Sequence, residues 1–343
     1  MAFFLTNFAH MSRSYSFVIP VYNRPDEIQE LLESMTQLAG QIPFEVVIVE
    51  DGSTQSSAHI VCLYENKLNI TYLVKSNTGP GHSRNYGMAR ANGSYFLILD
   101  SDCILPSSYL VEVDRFLDQN FFHCFGGADA AHPQFDDFQK AVSHVMTSFL
   151  TTGGIRGSKR SVSQFEPRSF NMGISKEAFE ISGGFGRIHP GEDPDLSLRL
   201  LAKGYSTTFI PGAVVYHKRR IDLTKFYHQV RKFGLVRPII SRWHPKSAKI
   251  TYWFPSVFVI GVVFCILLSF LQSPLYLLPL AIYCSLVLLD ATARSGGLWV
   301  GILTVLVLFV QFFGYGLAFM ESIFKIRILG SDPEKAYPDL FFN

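Results

Sequence analysis

Cysteine is scarce in this sequence of 343 residues, and the few cysteines show no functional pattern. The five Cys have no metal-ligand spacing, and Cys265 and Cys284 fall in long apolar stretches, so we expect all five to be reduced and structural. A signal peptide is also missing, because the first ten residues carry no basic region and only a short apolar core. The sequence therefore predicts that the soluble part of the protein stays in the cytoplasm.

A complete dinucleotide-binding fingerprint is absent as well. The glycine-rich turn reads Gly79-Pro-Gly81-His-Ser-Arg84, with arginine in place of the third glycine, and it does not follow the first predicted strand. This argues against an NAD or FAD domain. An arginine at a helix start favours phosphate, so Arg84 is a candidate ligand for a diphosphate, with a surface salt bridge as the alternative.

Apolar residues, in contrast, make up 48% of the chain and are concentrated after residue 252. A membrane-spanning helix needs about 20 apolar residues. By that measure the first and third apolar stretches are long enough, and the second is short unless residues 291–293 extend it. We predict three membrane helices, with a buried core hairpin as the alternative, in the stretches Trp253 to Leu271, Leu275 to Leu289 and Leu298 to Met320.

The formal net charge of +2 conceals a basic segment directly before the first apolar stretch. Between Lys218 and Lys249 lie ten Lys or Arg and one acid, Asp222, a local charge of +9. Basic residues beside a membrane helix mark the cytoplasmic side and attract anionic lipid head groups. We therefore expect a multi-pass protein of the inner (plasma) membrane with a cytoplasmic soluble domain, and no nucleic-acid partner, although nucleic-acid binding is the rival interpretation of this segment.

The first hundred residues alternate between strand and helix patterns. Strands are predicted at residues 15–22, 44–50, 70–75 and 95–99, with helices at 27–38 and 57–66 and after the glycine-rich turn. Such alternation is typical of an α/β fold with a doubly wound, mostly parallel sheet. Ligands of these folds bind at the carboxyl ends of the strands.

Two carboxylates follow the fourth predicted strand. Asp100 and Asp102 are one residue apart where the apolar run Tyr95 to Leu99 ends, and two such acids are costly to hold together without a cation. Oxygen ligands of this kind suit Mg²⁺ or Mn²⁺, which leave positions open for substrate phosphates. A solvated acidic turn is the alternative.

An ordered series of motifs over residues 15 to 220 resembles the family 2 glycosyltransferases, which have the GT-A fold. The series consists of Val18-Ile-Pro20-Val-Tyr22-Asn23, Glu50-Asp-Gly-Ser53, Asn77-Thr-Gly79-Pro-Gly81, Arg84-Asn-Tyr-Gly87, Asp100-Ser-Asp102, Gly183-Gly-Phe185 and Gly191-Glu-Asp-Pro-Asp-Leu-Ser-Leu-Arg199. Many relatives have Asp at the position of Glu50, a mild departure because Asp51 is retained.

The resemblance implies a metal-dependent, inverting transfer of a sugar from a UDP- or GDP-sugar donor. Tyr22 and Asp51 would hold the nucleotide base and Arg84 the diphosphate, with Pro20 and Asp100 as further donor-binding residues. Asp102 would bind the metal. These roles are what the resemblance implies for the donor side.

The acceptor side depends on the acidic segment before the predicted helix Leu196 to Ala202. Asp193 matches the general base of the family, whereas Asp195 is explained by the favourable placement of acids at a helix start. Short strands are predicted at residues 205–210 and 213–216. His217, which ends the second, is a candidate further metal ligand, and membership of the basic cluster is its alternative. The loop over residues 151–160, with Arg168 after it, is interpreted either as closing on phosphates or an anionic lipid, or as a mobile surface loop.

The segment from Asp222 has the pattern of an amphipathic helix suited to a membrane surface. Gln229-x-x-Lys232-Phe233 in it faintly resembles a motif of processive polysaccharide synthases, but two of the residues differ. We expect the acceptor to be a lipid-linked compound or a saccharide of a cell-surface glycan. The alternatives are a processive synthase and an inactive membrane-anchored binding protein.

These patterns predict five regions. They are an N-terminal tail (1–14), a GT-A catalytic domain (15–220), a basic interface segment (221–250), the membrane helices (251–321) and a C-terminal tail (322–343).

Overall fold

The computed structural model describes residues 13–130, 135–152, 165–217 and 222–342, with His217 described by its backbone. Within these residues an eight-stranded sheet has the order β3-β2-β1-β4-β7-β6-β8-β5. The strands are β1 Tyr15–Val21, β2 Phe44–Asp51, β3 Ile70–Lys75, β4 Tyr95–Leu99, β5 Cys103–Ile104, β6 Cys124–Ala130, β7 Asn171–Ser175 and β8 Thr207–His217.

The sheet is mixed but mostly parallel, which confirms the predicted fold class. The neighbours among β1 to β4 are all parallel, as are β6 and β8, whereas β7 is antiparallel to both β4 and β6. Apolar side chains on both faces of β1, β2 and β4 are buried under helices, so these strands are nearly continuous hydrophobic runs. This explains why their sequence pattern is easy to recognise.

Helices cover both faces of the sheet and continue beyond it. We call the sheet and its helices through residue 217 the α/β domain. Its helices are α1 Pro25–Thr36, α2 Ala58–Val61, α3 Pro80–Met88, α4 Tyr109–Gln119, α5 Asp137–Thr147, α6 Phe149–Thr152, α7 Lys176–Ser182 and α8 Glu192–Ala202. They are followed by α9 Leu223–Trp243, α10 Phe254–Leu271, α11 Leu278–Ser295, α12 Leu298–Ser322 and α13 Pro333–Ala336.

Several predicted boundaries in the α/β domain are wrong. The helix predicted at 57–66 is a single turn, α2 Ala58–Val61. Helix α8 begins at Glu192 rather than Leu196, because Gly191 takes a φ of 120° before it and proline is tolerated in a first helical turn. The two strands predicted at 205–210 and 213–216 are one strand, β8, which is interrupted opposite Gly127 and Ala128 by an irregularity in register. The helix shift matters for function because it places Glu192 and Asp193 on a rigid element.

Helix α9 confirms the helix predicted from Asp222, which caps it by accepting from the Lys225 N–H at 2.8 Å. Its apolar face is covered by α12, although the sequence suggested a membrane surface. The two helices approach so closely at Gly234 that an added Cβ would lie 2.4 Å from the Tyr315 carbonyl oxygen. The Ser322 hydroxyl also donates to the Leu235 carbonyl at 2.7 Å.

Three helices among the described residues are long and apolar enough to cross a membrane, in agreement with the sequence prediction. The spans are Ile250–Leu271, Pro274–Ser295 and Leu298–Ile328, so the middle segment reaches sufficient length by extending at both ends. The shares of residues buried within the protein are 17%, 11% and 44%, respectively. Helices α10 and α11 thus present most of their apolar surface outward, whereas α12 is a packed element.

Both ends of α12 lie against parts of the α/β domain or α9. Just before its beginning, His144 of α5 contacts Ser295 at 2.8 Å and Asp290 at 3.1 Å, both in the last part of α11. Beyond its end, the Phe342 N–H donates to the Arg187 carbonyl at 3.0 Å. A chain that leaves the α/β domain and returns to it crosses a membrane an even number of times.

Three crossings, which would place Asn343 on the far side, conflict with this arrangement. Asn343 lies outside the described residues, but its neighbour Phe342 contacts the α/β domain. The prediction of three membrane helices from the sequence did not anticipate this arrangement, because apolar length alone does not distinguish a membrane-crossing helix from one packed against protein.

We predict that reporters fused before Ser14 and after Asn343 are active in the same compartment. A reporter inserted at Gln272-Ser273, between α10 and α11, should be active on the opposite side if these two helices form a crossing hairpin. Fractionation and reporter activity in intact cells provide the measurement. Opposite compartments for the two terminal fusions would show that the docked arrangement does not exist in the membrane.

Candidate active site

The carboxyl ends of β1, β2, β3 and β4 meet at one edge of the sheet. Because these strands are parallel neighbours, Tyr22, Asp51, Lys75 and Asp100 follow or end them along a single crevice. Pro20 lies within β1, opposite Val49 of β2. The structure therefore brings the predicted donor residues to the edge where ligands of such sheets bind.

Asp51 is buried and fastens the glycine-rich turn. Its two carboxylate oxygens accept from the Thr78 and Gly79 N–H groups, each at 3.0 Å, and Lys75 forms an ion pair with it. The Asn77 side chain adds a bond to the Asp51 carbonyl at 3.0 Å. The turn is thus held by a carboxylate that also faces the crevice, and sequence reasoning missed Lys75 as its partner.

Glu50, the departure from the common family pattern, has a structural explanation. Its buried carboxylate accepts from the Tyr72 hydroxyl at 2.7 Å and from the Ser57 N–H at 2.8 Å, and it also bonds Ser53. These bonds organise the loop after β2. Tyr22, at the crevice rim, is 51% exposed and so can contact a ligand.

Arg84 is buried, which rules out the surface salt bridge considered from the sequence. Its guanidinium donates to Asp100 at 2.6 Å and to Glu192 at 3.1 Å. It lies in the second turn of α3 rather than at the helix start, because α3 already begins at Pro80. Arg84 therefore joins the end of β4 to the beginning of α8.

Glu192 is the second acid of this cluster, and sequence reasoning gave it no partner. His189 contacts its carboxylate at 2.9 Å, at the same oxygen, Oε1, to which Arg84 donates. Burial opposes charge on Glu192, but His189 and Arg84 outweigh burial and lower its pKa from the ordinary 4.5 to about 2. The same contact raises the pKa of His189 against the effect of burial. A compact network of four charged groups thus underlies the crevice.

Asp102 lies in the crevice with a cation beside it. The Arg24 guanidinium donates to its carboxylate at 2.8 Å, and the Arg24 side chain is 48% exposed. Strand pairing places the His217 backbone opposite Cys103, one residue from Asp102. Among the described side chains no three His, Cys, Asp or Glu converge as a metal site. The His217 side chain is not among those described.

The residues present fit a divalent cation that also binds a substrate. A carboxylate supplies the hard oxygen ligand that Mg²⁺ or Mn²⁺ prefers, and such ions complete their coordination with water and phosphate oxygens. The Arg24 ion pair shows that positive charge is favourable at this position.

Asp193 follows Glu192 in the first turn of α8 and is the other acid near the crevice. Burial raises the pKa of its carboxyl, although Arg168, 3.5 Å away, opposes that increase. A carboxylate with a raised pKa is better matched to accept a proton near neutral pH. The position and the electrostatics of Asp193 are those of a candidate base.

Asp195 lies in the first turn of α8, where an acid is favoured as the sequence indicated, and it also forms two ion pairs. Its buried carboxylate contacts Arg199 at 2.9 Å and His244, at the end of α9, also at 2.9 Å. It connects the candidate site to α9.

A second charge cluster links the Asp193 side of the crevice to the beginning of the apolar helices. Glu166 contacts Lys249 at 3.3 Å and Arg237 at 3.7 Å. Arg237 stacks over the Tyr252 ring at 4.5 Å, directly before α10. Burial favours the neutral form of Glu166, but Arg237, Arg168 and Lys249 outweigh it and lower the pKa. We call Glu166, Arg168, Arg237 and Lys249 the junction cluster.

Comparison with known proteins decides the family. The model of Glycosyl transferase family 2 matches residues 16–180, which contain the strand ends, the glycine-rich turn and both Asp100 and Asp102. Residues 16–180 form a domain of glycosyl transferase family 2. We use the name glycosyltransferase domain for the α/β domain, most of which these residues form.

Curated relatives share a limited part of the chain. Poly(ribitol-phosphate) β-N-acetylglucosaminyltransferase TarS of Staphylococcus aureus is 37% identical over 109 residues, 31% of this chain and 19% of the relative. Poly(ribitol-phosphate) β-glucosyltransferase of Bacillus spizizenii is 36% identical over the same length, 31% of this chain and 17% of the relative. The match thus spans less than a fifth of each relative.

A solved structure agrees in fold over most of the chain. Mannosyltransferase PcManGT from Pyrobaculum calidifontis, in complex with GDP-Man and Mn²⁺, aligns with a TM-score of 0.55 at 16% identity. The alignment covers 91% of this chain and 87% of PcManGT. It supports the GT-A fold of the glycosyltransferase domain.

We predict that Glu192→Gln lowers the free energy of unfolding by about 3 kcal/mol at pH 7, because it leaves buried Arg84 and His189 without their shared carboxylate. The folded pKa of Glu192 lies below its ordinary value, so its stabilisation is present above about pH 4.5 and lost as the pH falls towards 2. Denaturant unfolding between pH 7 and pH 3 measures both effects.

Glu177→Gln is the matched control, because Glu177 is largely exposed, accepts from the Tyr205 hydroxyl at 2.9 Å and lies 4.0 Å from His123. It should change the unfolding free energy by no more than about 0.5 kcal/mol. Equal losses in the two variants would contradict the buried network.

Proposed function

We propose that this protein is a membrane-associated, metal-dependent, inverting glycosyltransferase that moves a sugar from a UDP- or GDP-sugar to an acceptor at the cytoplasmic membrane surface. One observation carries the proposal. The candidate base Asp193 lies between the donor crevice and the junction cluster, and that cluster ends at the first apolar helix. The acceptor side therefore faces the membrane-associated part of the chain.

The donor binds at the strand-end crevice. Tyr22 and Asp51 contact the nucleotide base, with Pro20 shaping the strand beneath, and Arg84 and Asp100 lie on the diphosphate side. Arg84 is already neutralised by two acids, so its contribution is a fixed hydrogen-bond donor rather than excess charge. Its Nε is buried and has no hydrogen-bond partner among the described residues.

Asp102 and His217 would hold the metal, which would take the place of the Arg24 guanidinium at the Asp102 carboxylate. A divalent cation at this position stabilises negative charge on the leaving diphosphate. The support comes from the exposed Arg24 at Asp102 and from the strand register that places His217 nearby.

Asp193 removes the proton of the acceptor hydroxyl. An inverting transfer needs a base on the face of the sugar opposite the diphosphate, and Asp193 approaches from α8 while Asp100 and Asp102 approach from β4. Burial that raises its pKa supports this role. Arg168 and the other bases of the junction cluster bind anionic groups of a lipid-linked or saccharide acceptor.

Membrane association is supported by the outward apolar surfaces of α10 and α11. We place these two helices in the inner membrane as a hairpin, with α12 packed against α9 and the glycosyltransferase domain in the cytoplasm. The two named relatives act on poly(ribitol-phosphate), which supports a role in cell-surface glycan synthesis. A processive synthase would need a polymer channel, and this apolar region is small for one.

We expect Asp102→Asn to remove the Mn²⁺-dependent part of nucleotide affinity while leaving the fold intact. The lost Arg24 pair is exposed and contributes at most about 1 kcal/mol to stability. Titration calorimetry with UDP and GDP, with and without Mn²⁺, is the measurement. Asp118→Asn, which removes a surface pair with Arg13, is the control and should leave affinity unchanged. An unchanged response to Mn²⁺ in Asp102→Asn would refute the ligand assignment.

We expect Asp193→Asn to leave donor affinity unchanged and to lower the turnover of transfer by about 100-fold or more, since a base acts only when the acceptor attacks. Asp26→Asn is the control, because Asp26 also lies in a first helical turn but is exposed. Transfer from radiolabelled donors to membrane lipid extracts is measured, with the product identified by mass.

Two outcomes would change the proposal. Wild-type turnover in Asp193→Asn would indicate a phosphate acceptor, which needs no base. Nucleotide binding without transfer or donor hydrolysis in the wild type would indicate a binding protein instead of an enzyme.

A further inference from the structure

The segment after α12 returns to the glycosyltransferase domain. We call residues 329–342 the docking segment. Near its start, Arg242 at the end of α9 donates to the Ser331 carbonyl at 2.7 Å, and Glu334 of α13 forms an ion pair with Arg187. These contacts hold the segment across α9 and against the loop before α8.

The last described residues pair with that loop as an added short strand. The His189 N–H donates to the Leu340 carbonyl at 2.7 Å, and the Phe342 N–H donates to the Arg187 carbonyl at 3.0 Å. Ile188 and Phe341 form an antiparallel bridge between these two bonds. Backbone pairing fixes the register, so the position of the Phe342 side chain is determined.

The Phe342 ring lies between the two halves of the site. On one side it covers Gly79 so closely that an added Cβ there would lie 2.4 Å from the ring. On the other side its centroid is 5.9 Å from the ring of His189. The Gly79 N–H holds Asp51, and the His189 ring holds Glu192. Phe342 therefore touches both the turn of the donor side and the charged network under it.

The Phe342 ring restricts the main-chain conformation at Gly79. Gly79 has a φ of 88°, and its N–H bond to Asp51 precedes α3 directly. Glycine has high backbone freedom, so a contact in addition to the Asp51 bonds further restricts the turn. The aromatic ring supplies a large, rigid contact at low entropic cost.

We infer that Phe342 is a positioning residue for the nucleotide-sugar, delivered to the donor site by the docking segment. This inference rests on the proposed function. Phe342 keeps the Thr78–Gly79 turn and His189 in the arrangement that binds the donor. The docking segment directly follows the packed helix α12. The packing of the apolar helices and the ordering of the donor-binding turn are therefore coupled.

The experiment measures donor affinity, turnover and melting temperature for Phe342→Ala in the full-length protein in detergent or vesicles. If the turn is ordered in only a tenth of the variant molecules, the Kd for UDP or GDP with Mn²⁺ and the donor KM rise about tenfold. The value of kcat at saturating donor should change little. Phe342→Tyr, which retains the ring, should restore the affinity.

Leu329→Ala is the matched control, because Leu329 belongs to the docking segment but is largely exposed. It should leave Kd, KM and kcat unchanged. Hydrogen exchange of the Thr78 and Gly79 amides gives an independent readout and should accelerate in Phe342→Ala only. If Phe342→Ala folds poorly, Phe342→Leu provides the intermediate variant.

The outcomes separate this inference from the proposed function. Wild-type nucleotide affinity in Phe342→Ala and Phe342→Leu, with the wild type active, would overturn the positioning role and leave the function intact. A loss of stability with unchanged donor KM would also overturn it. A wild type that binds no nucleotide would overturn both.

Discussion

The buried guanidinium of Arg84 is the constraint on which the rest of the site depends. A cation inside the protein is unfavourable unless carboxylates surround it, and here Asp100 from the end of β4 and Glu192 from the first turn of α8 provide them. The three groups set the separation between the sheet edge and α8. Asp193, one residue after Glu192, inherits its position from this arrangement. The proposed donor and acceptor sides are therefore held together by one ion network.

Local patterns predicted the parts of the fold that are buried on both sides. The strand Ile70–Lys75 appears with the predicted bounds, and β4 ends at Leu99 as expected, because continuous apolar runs leave little choice of structure. The predicted start of α8 was too late, because the acids and the proline of its first turn are typical of a loop. Sequence patterns placed Arg84 and Asp51 at the site but did not identify the residues with which they form ion pairs. Their partners, Glu192 and Lys75, belong to no sequence pattern that indicates such contacts.

Contacts between distant parts of the chain left no signal in the sequence. The amphipathic pattern of α9 shows that one face of the helix is apolar. The pattern does not show whether lipid or another helix, here α12, covers that face. The bridge between Ile188 and Phe341 joins residues that no local rule relates. The basic segment is a further example. Arg231 pairs with Glu321 at 2.8 Å, and Arg237 and Arg242 also bond within the protein. The part of the +9 charge that is not paired within the protein is accordingly smaller.

The return of the docking segment also has a consequence for the order in which the protein matures. A chain emerges from the ribosome in sequence order, and domains begin to fold as they emerge. More than two hundred residues must be synthesised after the glycine-rich turn at residue 79 before Phe342 can contact it. The helices α10, α11 and α12 are synthesised in between. The contact between Phe342 and Gly79 therefore forms only in chains whose apolar helices have already been synthesised. A complete donor site is accordingly present only in molecules that possess all three of these helices.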